Sequence, residues 1–465
     1  MATQYAYLFG FDCIRCDPDE QLEFAGPKPG KAMLALSYRT LRYLGPDQLV
    51  RLRETAKAGA VVYIRGGFDG TQQCTLSPLI DATFLYVKDR RATAYRIEAR
   101  WPMPEVLHGE NSGGEFLLPS ARGIPDQWQV LASAQFESGE CAPFLFAIRC
   151  GAGYVICDLL ADAPAGSPDT PILYRLANPA KRYRELGPLA SIRIAAGVSP
   201  SARPAFNLTM DDRPANFDLL NSGNLRRWLE HVESRFHRAH VDFAWTPDQL
   251  YPARSFVEML KRFNTGIVWH GFKRHVNHSG PLKFENDLRQ GALMVGRISR
   301  RFDVNFQPIM VFPFEAFGLE ALSFLKQAGF VATVAGPLPP GNSWSNYPSF
   351  VHRSVPLEEE FANVFPVLRR YSCESLSRDL MLSHAALNLP IIVVVHPDEI
   401  GMRRWPYPPL RKGTRTHSDS VLSFAAAKRL RAASLEEIAQ EIVSRPRPKA
   451  FELRESCRTD AKHLH

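Results

Sequence analysis

The sequence predicts an α/β protein, a small strand-and-helix domain followed by a (β/α) barrel or its incomplete relative. Three observations predict it. The 465 residues exceed one ordinary core, so two domains and a tail are expected. From residue 201 onward, six apolar strand-like runs are separated by helix-sized segments. Polar and acidic residues collect at the C-terminal ends of those runs, where such barrels carry function.

The elements follow in order. "KAMLALSYRTL" reads as a strand and its loop. "GPDQLVRLRETAKAG" has Pro46 in its first turn, apolar residues at helical spacing and a Gly stop, so a helix is expected. "AVVYIRGG" is a buried strand ending in a Gly pair, and "PFLFAIRCGAGYVICDLL" is a hairpin. These define a first α/β domain over residues 1–165, and a Pro-, Ala-, Gly- and Arg-rich connector spans 166–202. The second series covers 203–430, with "PAFNLTM", "AHVDFAWTP", "FNTGIVWHG", "NFQPIMVFPF", "GFVATVAG" and "PIIVVVHPDEI" as its strands. A C-terminal helix, "SLEEIAQEIVSR", and a basic tail occupy 431–465, with Ser434 as the helix cap.

Composition narrows the function classes. At 45% hydrophobic and 22% charged, the chain is globular. The net charge of +8 raises nucleic acid as a partner, but the Lys and Arg residues are spread out and no nucleic-acid-binding fingerprint is present. A solvated basic surface is expected instead, with an anionic substrate or lipid head groups at the inner membrane as the other uses of such charge. Neither a signal peptide nor an apolar run long enough to span a bilayer is read, and the eight cysteines are scattered. A cytoplasmic protein with reduced thiols is therefore expected, in peripheral contact with the inner membrane at most.

Four strand ends carry the chemistry. The first is Asp211-Asp212, two adjacent carboxylates that repel unless a cation neutralises one. The second is "WHGFKRHVNHSG", with His270, His275 and His278. The third is "VFPFEAFG", with Pro313 and Glu315. The fourth is "VVVHPDEI", with His396, Asp398 and Glu399. Two imidazoles and one carboxylate make a metal site with open positions, the second carboxylate can take a proton from water, and a separate His can protonate a leaving group.

These motifs, in this order, resemble the polysaccharide deacetylase (NodB-homology) family over residues 203–405. Thr209-Met210-Asp211-Asp212 matches its strand-end Asp pair. His270-Gly271-Phe272-Lys273-Arg274-His275, then Asn277-His278, matches its His motif, one residue longer. Phe312-Pro313-Phe314, with "LEALSFLKQAGF" after it, matches its third motif, and "IIVVVHPDE" its last. The resemblance implies a distorted (β/α)7 barrel and metal-dependent removal of acyl groups from sugars. It implies Asp211 as general base, His396 as general acid, and Asp212, His270 and His275 as ligands of a divalent metal, zinc first, nickel or cobalt next. Because the His spacing is five, His278 is an alternate ligand or a substrate-binding residue. Pro313 and Glu315 shape the pocket, and Glu315 also suits capping of the following helix. The family's third-motif Arg, which orients the base, is replaced by Phe312.

The first domain resembles class I glutamine amidotransferase-like domains, which implies a flavodoxin-like arrangement. The nucleophile is missing: Cys74, in "GTQQCTLSP", has no Gly-flanked elbow, so no glutaminase activity is expected. Cys13 and Cys16 form a C-x-x-C without the partners a zinc site needs. The expected function is a carbohydrate deacetylase acting on an acylated sugar or sugar-containing precursor, in bacterial surface-polysaccharide (lipopolysaccharide or O-antigen) synthesis. A non-catalytic glycan-binding or scaffolding barrel, and hydrolysis of a formyl or cyclic amide, are the competing expectations. The sequence leaves the oligomeric state open.

Overall fold

Period-two alternation along the strands decides which side chains enter the second domain's interior and which face its helices. The computed structural model describes residues 33–81, 83–97, 116–160, 203–211, 219–247, 254–271, 281–312, 319–335, 366–373, 376–386, 389–397 and 415–444. The expected connector and the C-x-x-C lie outside the described residues.

In the first domain, β1 (Met33–Leu36) leads into α1 (Tyr38–Tyr43) and α2 (Pro46–Lys57), then β2 (Val61–Arg65). A loop was expected where α1 forms. Ser37 caps it, its Oγ accepting from the Thr40 amide at 3.0 Å. Six further strands follow: β3 (Gln72–Thr75), β4 (Thr83–Ile97), β5 (Phe116–Arg122), β6 (Gln129–Phe136), β7 (Cys141–Cys150) and β8 (Gly153–Asp158). The sheet order is β1-β2-β8-β7-β6-β4-β3, with β5 on β4. Only β1, β2 and β8 run parallel; the remaining pairs are antiparallel. The parallel part of the sheet is thus confined to three strands, and β3–β7 form an antiparallel insertion between β2 and β8 in the chain. The expected β7–β8 hairpin is present. Gly153 lets it approach the end of α2, because a Cβ there would come within 2.1 Å of the Ala60 carbonyl oxygen.

The second domain alternates strands and helices as expected: β9 (Ala205–Met210), α3 (Leu219–Arg235), β10 (Val241–Trp245), α4 (Arg254–Arg262), β11 (Thr265–Trp269), α5 (Pro281–Phe302), β12 (Phe306–Val311), α6 (Leu319–Gln327) and β13 (Ala332–Ala335). Then come β14 (Val367–Arg369), β15 (Tyr371–Ser372), α7 (Arg378–Ala386), β16 (Ile391–Val395), α8 (Arg415–Ala427), β17 (Arg431–Ala432) and α9 (Leu435–Ser444). Every pair in this sheet is parallel. β14 pairs with β13, and β15 pairs with β16. Only Arg370 separates β14 from β15, so residues 367–372 act as one interrupted stave. The ladders therefore run round a ring of seven staves: β9, β10, β11, β12, β13, the split stave and β16.

Alternate residues fill the ring. Ala205, Ala244, Val268, Ile309, Val311, Ala332, Val334, Leu368 and Ile392 share one apolar cluster with Leu435, Ile438, Ala439 and Ile442 of α9. The intervening positions, Phe206, Leu208, Phe243 and Ile391 among them, join the outer cluster with Leu225, Leu229 and Val232 of α3. Helix α9 thus closes the end of the barrel where the strands begin, and β17 pairs with β9 beside it. Residues 431–444, expected as an appendage, belong to the barrel.

A buried polar network fixes that closure. Asp242 accepts from His240 Nε2 (3.0 Å), Gln307 Nε2 (2.5 Å), Asn207 Nδ2 (2.8 Å) and the Leu435 amide (2.8 Å). The amide of Glu436 donates to Gln307 Oε1 at 3.0 Å. A carboxylate therefore meets the positive end of the α9 dipole. Ser434 and Glu437 complete the expected capping box, with Glu437 N to Ser434 Oγ at 3.1 Å and Ser434 N to Glu437 Oε2 at 2.8 Å. Burial pulls the His240 pKa down, but the bonds to Asp242 and Asn264 outweigh it and the net shift is upward.

Two outcomes follow from this end of the barrel. At Gly266 a Cβ would lie 2.0 Å from Gln307 Nε2 and 2.2 Å from Asp242 Oδ1. Gly266→Ala should lower unfolding stability by about 3 kcal/mol in denaturant titration; an unchanged midpoint would contradict this packing. Because the folded pKa of His240 is raised, its stabilisation is full below the unfolded value of about 6.5 and is lost as pH rises through the folded value. The stability gap between wild type and His240→Gln, measured by denaturant unfolding, should therefore be wider at low pH than at high pH.

Candidate active site

The ring brings side chains together at its other end, beyond the C-termini of the strands. β9 ends in Met210, paired with Val395 of β16. Asp211 and His396 are the next residues on these neighbouring staves, on the inward parity of Thr209 and Val394. The Asp211 amide donates to the Val395 carbonyl at 3.1 Å, carrying the register one step past the strand. His270 follows β11 on the parity of Val268, and its amide donates to the Trp245 carbonyl at 2.8 Å. Thr246 Oγ1 donates to the His270 carbonyl at 2.9 Å. Asp211 and His270 are buried and His396 is half-buried.

His270 has an assigned orientation. Its Nδ1 lies 3.1 Å from the Val311 carbonyl oxygen, which only accepts, so Nδ1 carries the hydrogen. In the neutral ring that leaves Nε2 as the nitrogen with the lone pair, as a metal-ligating imidazole requires.

Arg370 dominates the electrostatics, and sequence reasoning missed it. Its Nη1 and Nη2 donate to Asp211 Oδ1 and Oδ2, both at 2.5 Å, across 159 positions of chain. Both side chains are nearly out of solvent, 3% and 6% exposed, so neither charge could persist there without the other. Burial pushes the Asp211 carboxyl upward, but Arg370 above all, with His270 and His396, outweighs it and holds the group below its usual range. The guanidinium that the third motif lacks therefore arrives from the split stave. Phe312 could not supply it, because that position is buried in the outer apolar cluster that holds Leu322 and Leu325 of α6. The stave beside Arg370 is pinned: Tyr371 Oη lies 3.1 Å from His384 Nε2, and His384 Nδ1 donates to the Pro390 carbonyl at 2.8 Å.

Of the sequence-predicted site, the structure brings together Asp211, His270 and His396. Asp212, His275, His278, Pro313, Glu315, Asp398 and Glu399 lie outside the described residues. Among the described residues, no three His, Cys, Asp or Glu side chains form a metal-binding group. Cys74, on β3, is buried, and burial raises its thiol pKa. No helix among the described residues is long and apolar enough to cross a membrane.

No protein-family model matches the chain, and no curated protein matches it. Solved structures do. A family 4 carbohydrate esterase from Streptomyces lividans is similar at 12% identity, covering 50% of this chain and 94% of its own, with a TM-score of 0.30. The chitin deacetylase of the fungal pathogen Colletotrichum lindemuthianum is 12% identical over 51% of this chain and 88% of its own, TM-score 0.30. A CE4 family pseudoenzyme from Bacillus anthracis is 13% identical over 52% and 66%, TM-score 0.30. Likeness at this level establishes no function, so the site is read from its own residues.

Removing one member of the buried pair strands the other. Arg370→Met should lower unfolding stability by about 3–5 kcal/mol, and Asp211→Leu combined with Arg370→Met by clearly less, measured by denaturant titration. A single substitution costing under about 1 kcal/mol would contradict the burial of this pair.

Proposed function

We propose that the chain is a metal-dependent deacetylase that removes an acyl group, N-acetyl foremost, from a carbohydrate, in the synthesis of a bacterial surface polysaccharide. The observation that carries this reading is the meeting of Asp211, His270 and His396 at one barrel end, with Arg370 bonded to Asp211 through both nitrogens.

The described member of the proposed donor set, His270, suits a divalent cation. The Val311 carbonyl fixes the His270 ring so that Nε2 is the donor atom. Asp212 and His275 would complete the set, with His278 as the alternate imidazole, and zinc, nickel or cobalt suits such nitrogen and oxygen ligands. When bound, the metal supplies a Lewis acid that makes water more acidic and polarises the acyl carbonyl.

The chain's own residues do the rest. Asp211 receives the proton of the attacking water. Each of its oxygens accepts one bond from Arg370 and keeps a second lone pair for that proton. Arg370 weakens Asp211 as a base, so Asp211 would accept a proton only from a water more acidic than bulk. His396, on the adjacent stave, gives a proton to the departing amine. The stave-borne Arg370 gives Asp211 an orienting partner, which supports the catalytic reading over a non-catalytic barrel.

Asp211→Asn should lower acetate release from N-acetylated chito-oligosaccharides at least about 100-fold, with zinc content unchanged. Chelation should abolish the wild-type rate, and added zinc should restore it. Full activity in Asp211→Asn, or a rate indifferent to chelation, would overturn the proposal.

A further inference from the structure

All seven staves run parallel, and α3, α4, α5 and α6 each return to the start of the next strand. Their C-terminal turns therefore share one face, opposite the site. Helix α8 ends there too, because β17 pairs with the first residues of β9. Five helix ends on this face carry exposed Lys or Arg: Arg238 after α3, Arg262 in α4, Arg300 and Arg301 in α5, Lys326 in α6, and Lys428 with Arg429 after α8.

Cations at helix C-termini complement the dipole, and that alone accounts for some of them. Backbone geometry adds an independent observation. Helices α5, α6 and α8 close with the same turn, in which an amide bonds back five residues: Val304 to Ser299, Phe330 to Leu325 and Leu430 to Ala425. At its left-handed position α6 has Gly329 (φ 84°), the residue that fits without strain, but α5 has Asp303 (φ 52°) and α8 has Arg429 (φ 51°). Arg238, after α3, is likewise left-handed at φ 60°. Two arginines thus occupy strained backbone where glycine would serve the fold better. Asp303 is answered within the fold by Lys261, whose Nζ donates to it at 2.8 Å, whereas among the described residues no side-chain partner holds Arg238 or Arg429.

We propose that this face of the barrel docks on an anionic lipid surface, with the mouth that holds Asp211, His270 and His396 turned away from it. The charges ring a closed barrel end and so form a broad array, which suits a planar sheet of negative head groups. Helix α9 lies across the same end and offers Val443, 42% exposed. Among the described residues, no exposed large aromatic lies at these turns, so the stacking platforms by which single-stranded nucleic acid is held are missing.

The test uses the full chain and sedimentation with vesicles. Binding is expected to phosphatidylcholine vesicles containing about 30% phosphatidylglycerol, not to phosphatidylcholine alone, and to fade above about 0.5 M salt. The variant R238G/R300Q/R301Q/R429G should partition at least about tenfold more weakly. Its two glycines relieve strain, so its thermal midpoint should match or exceed that of R300Q/R301Q, which shows that lost binding is not lost folding. A control carrying four changes elsewhere, R39Q/R42Q/R51Q/R53Q, should bind like wild type. Absence of binding to the anionic vesicles, equal loss in the control, or binding to a DNA duplex but not to vesicles would each overturn the proposal.

Discussion

A guanidinium locked onto a carboxylate out of reach of solvent governs the mouth of the barrel. Taking Arg370 or Asp211 out of water alone is prohibitive, so neither can be buried until the other is. Arg370 sits at the break between β14 and β15, and Asp211 sits just past β9. Closing the ring between β13 and β16 therefore also delivers the guanidinium to the carboxylate. Such pairs add little net stability against an apolar substitute. What this one adds is placement: two short bonds from a planar fork fix the carboxyl plane, which a Lys could not do.

The two ends of the barrel use buried charge differently. At the closed end, Asp242 has its bonds filled from β9, β12, α9 and its neighbour His240, so nothing is left over for chemistry. At the open end, His270 Nδ1 donates to the Val311 carbonyl, and His396 is half-exposed on the stave beside Asp211. Between them lies the apolar filling of the ring. Strand β9 serves both ends, with Asn207 in the lower network and Asp211 at the mouth, two pleats apart on one face.

Local signals made much of this legible in the sequence. The six apolar runs, the Pro46 helix, the β7–β8 hairpin and the Ser434 cap are written in residues close together, and each forms. Strand-end position also placed Asp211, His270 and His396 at one end. What escaped was written at long range or in too few residues. β14 and β15 hold three and two residues, too short for a period to show, so no pattern in "VLRRYS" marked Arg370. An Arg pair flanked by Leu368 and Tyr371 was a faint sign of an inward charge. His240 and Asp242 in "AHVDFAWTP" were a clearer one, since an Asp inside an apolar strand needs buried donors. In the first domain the sequence reading covered β1, β2 and the β7–β8 hairpin, and the antiparallel strands β3–β6 lay in the unread stretch between β2 and β7.

The proposed chemistry needs one cation shared by His270 and Asp212, with Asp211 left to accept a proton. Anomalous diffraction at the zinc edge, on crystals of the full chain grown with zinc, tests this most directly. A single strong peak bonded to His270 Nε2 and an Asp212 oxygen, with Asp211 still on Arg370, is the predicted result. Absence of a peak at His270, or a peak that draws Asp211 away from Arg370 as a ligand, would contradict it.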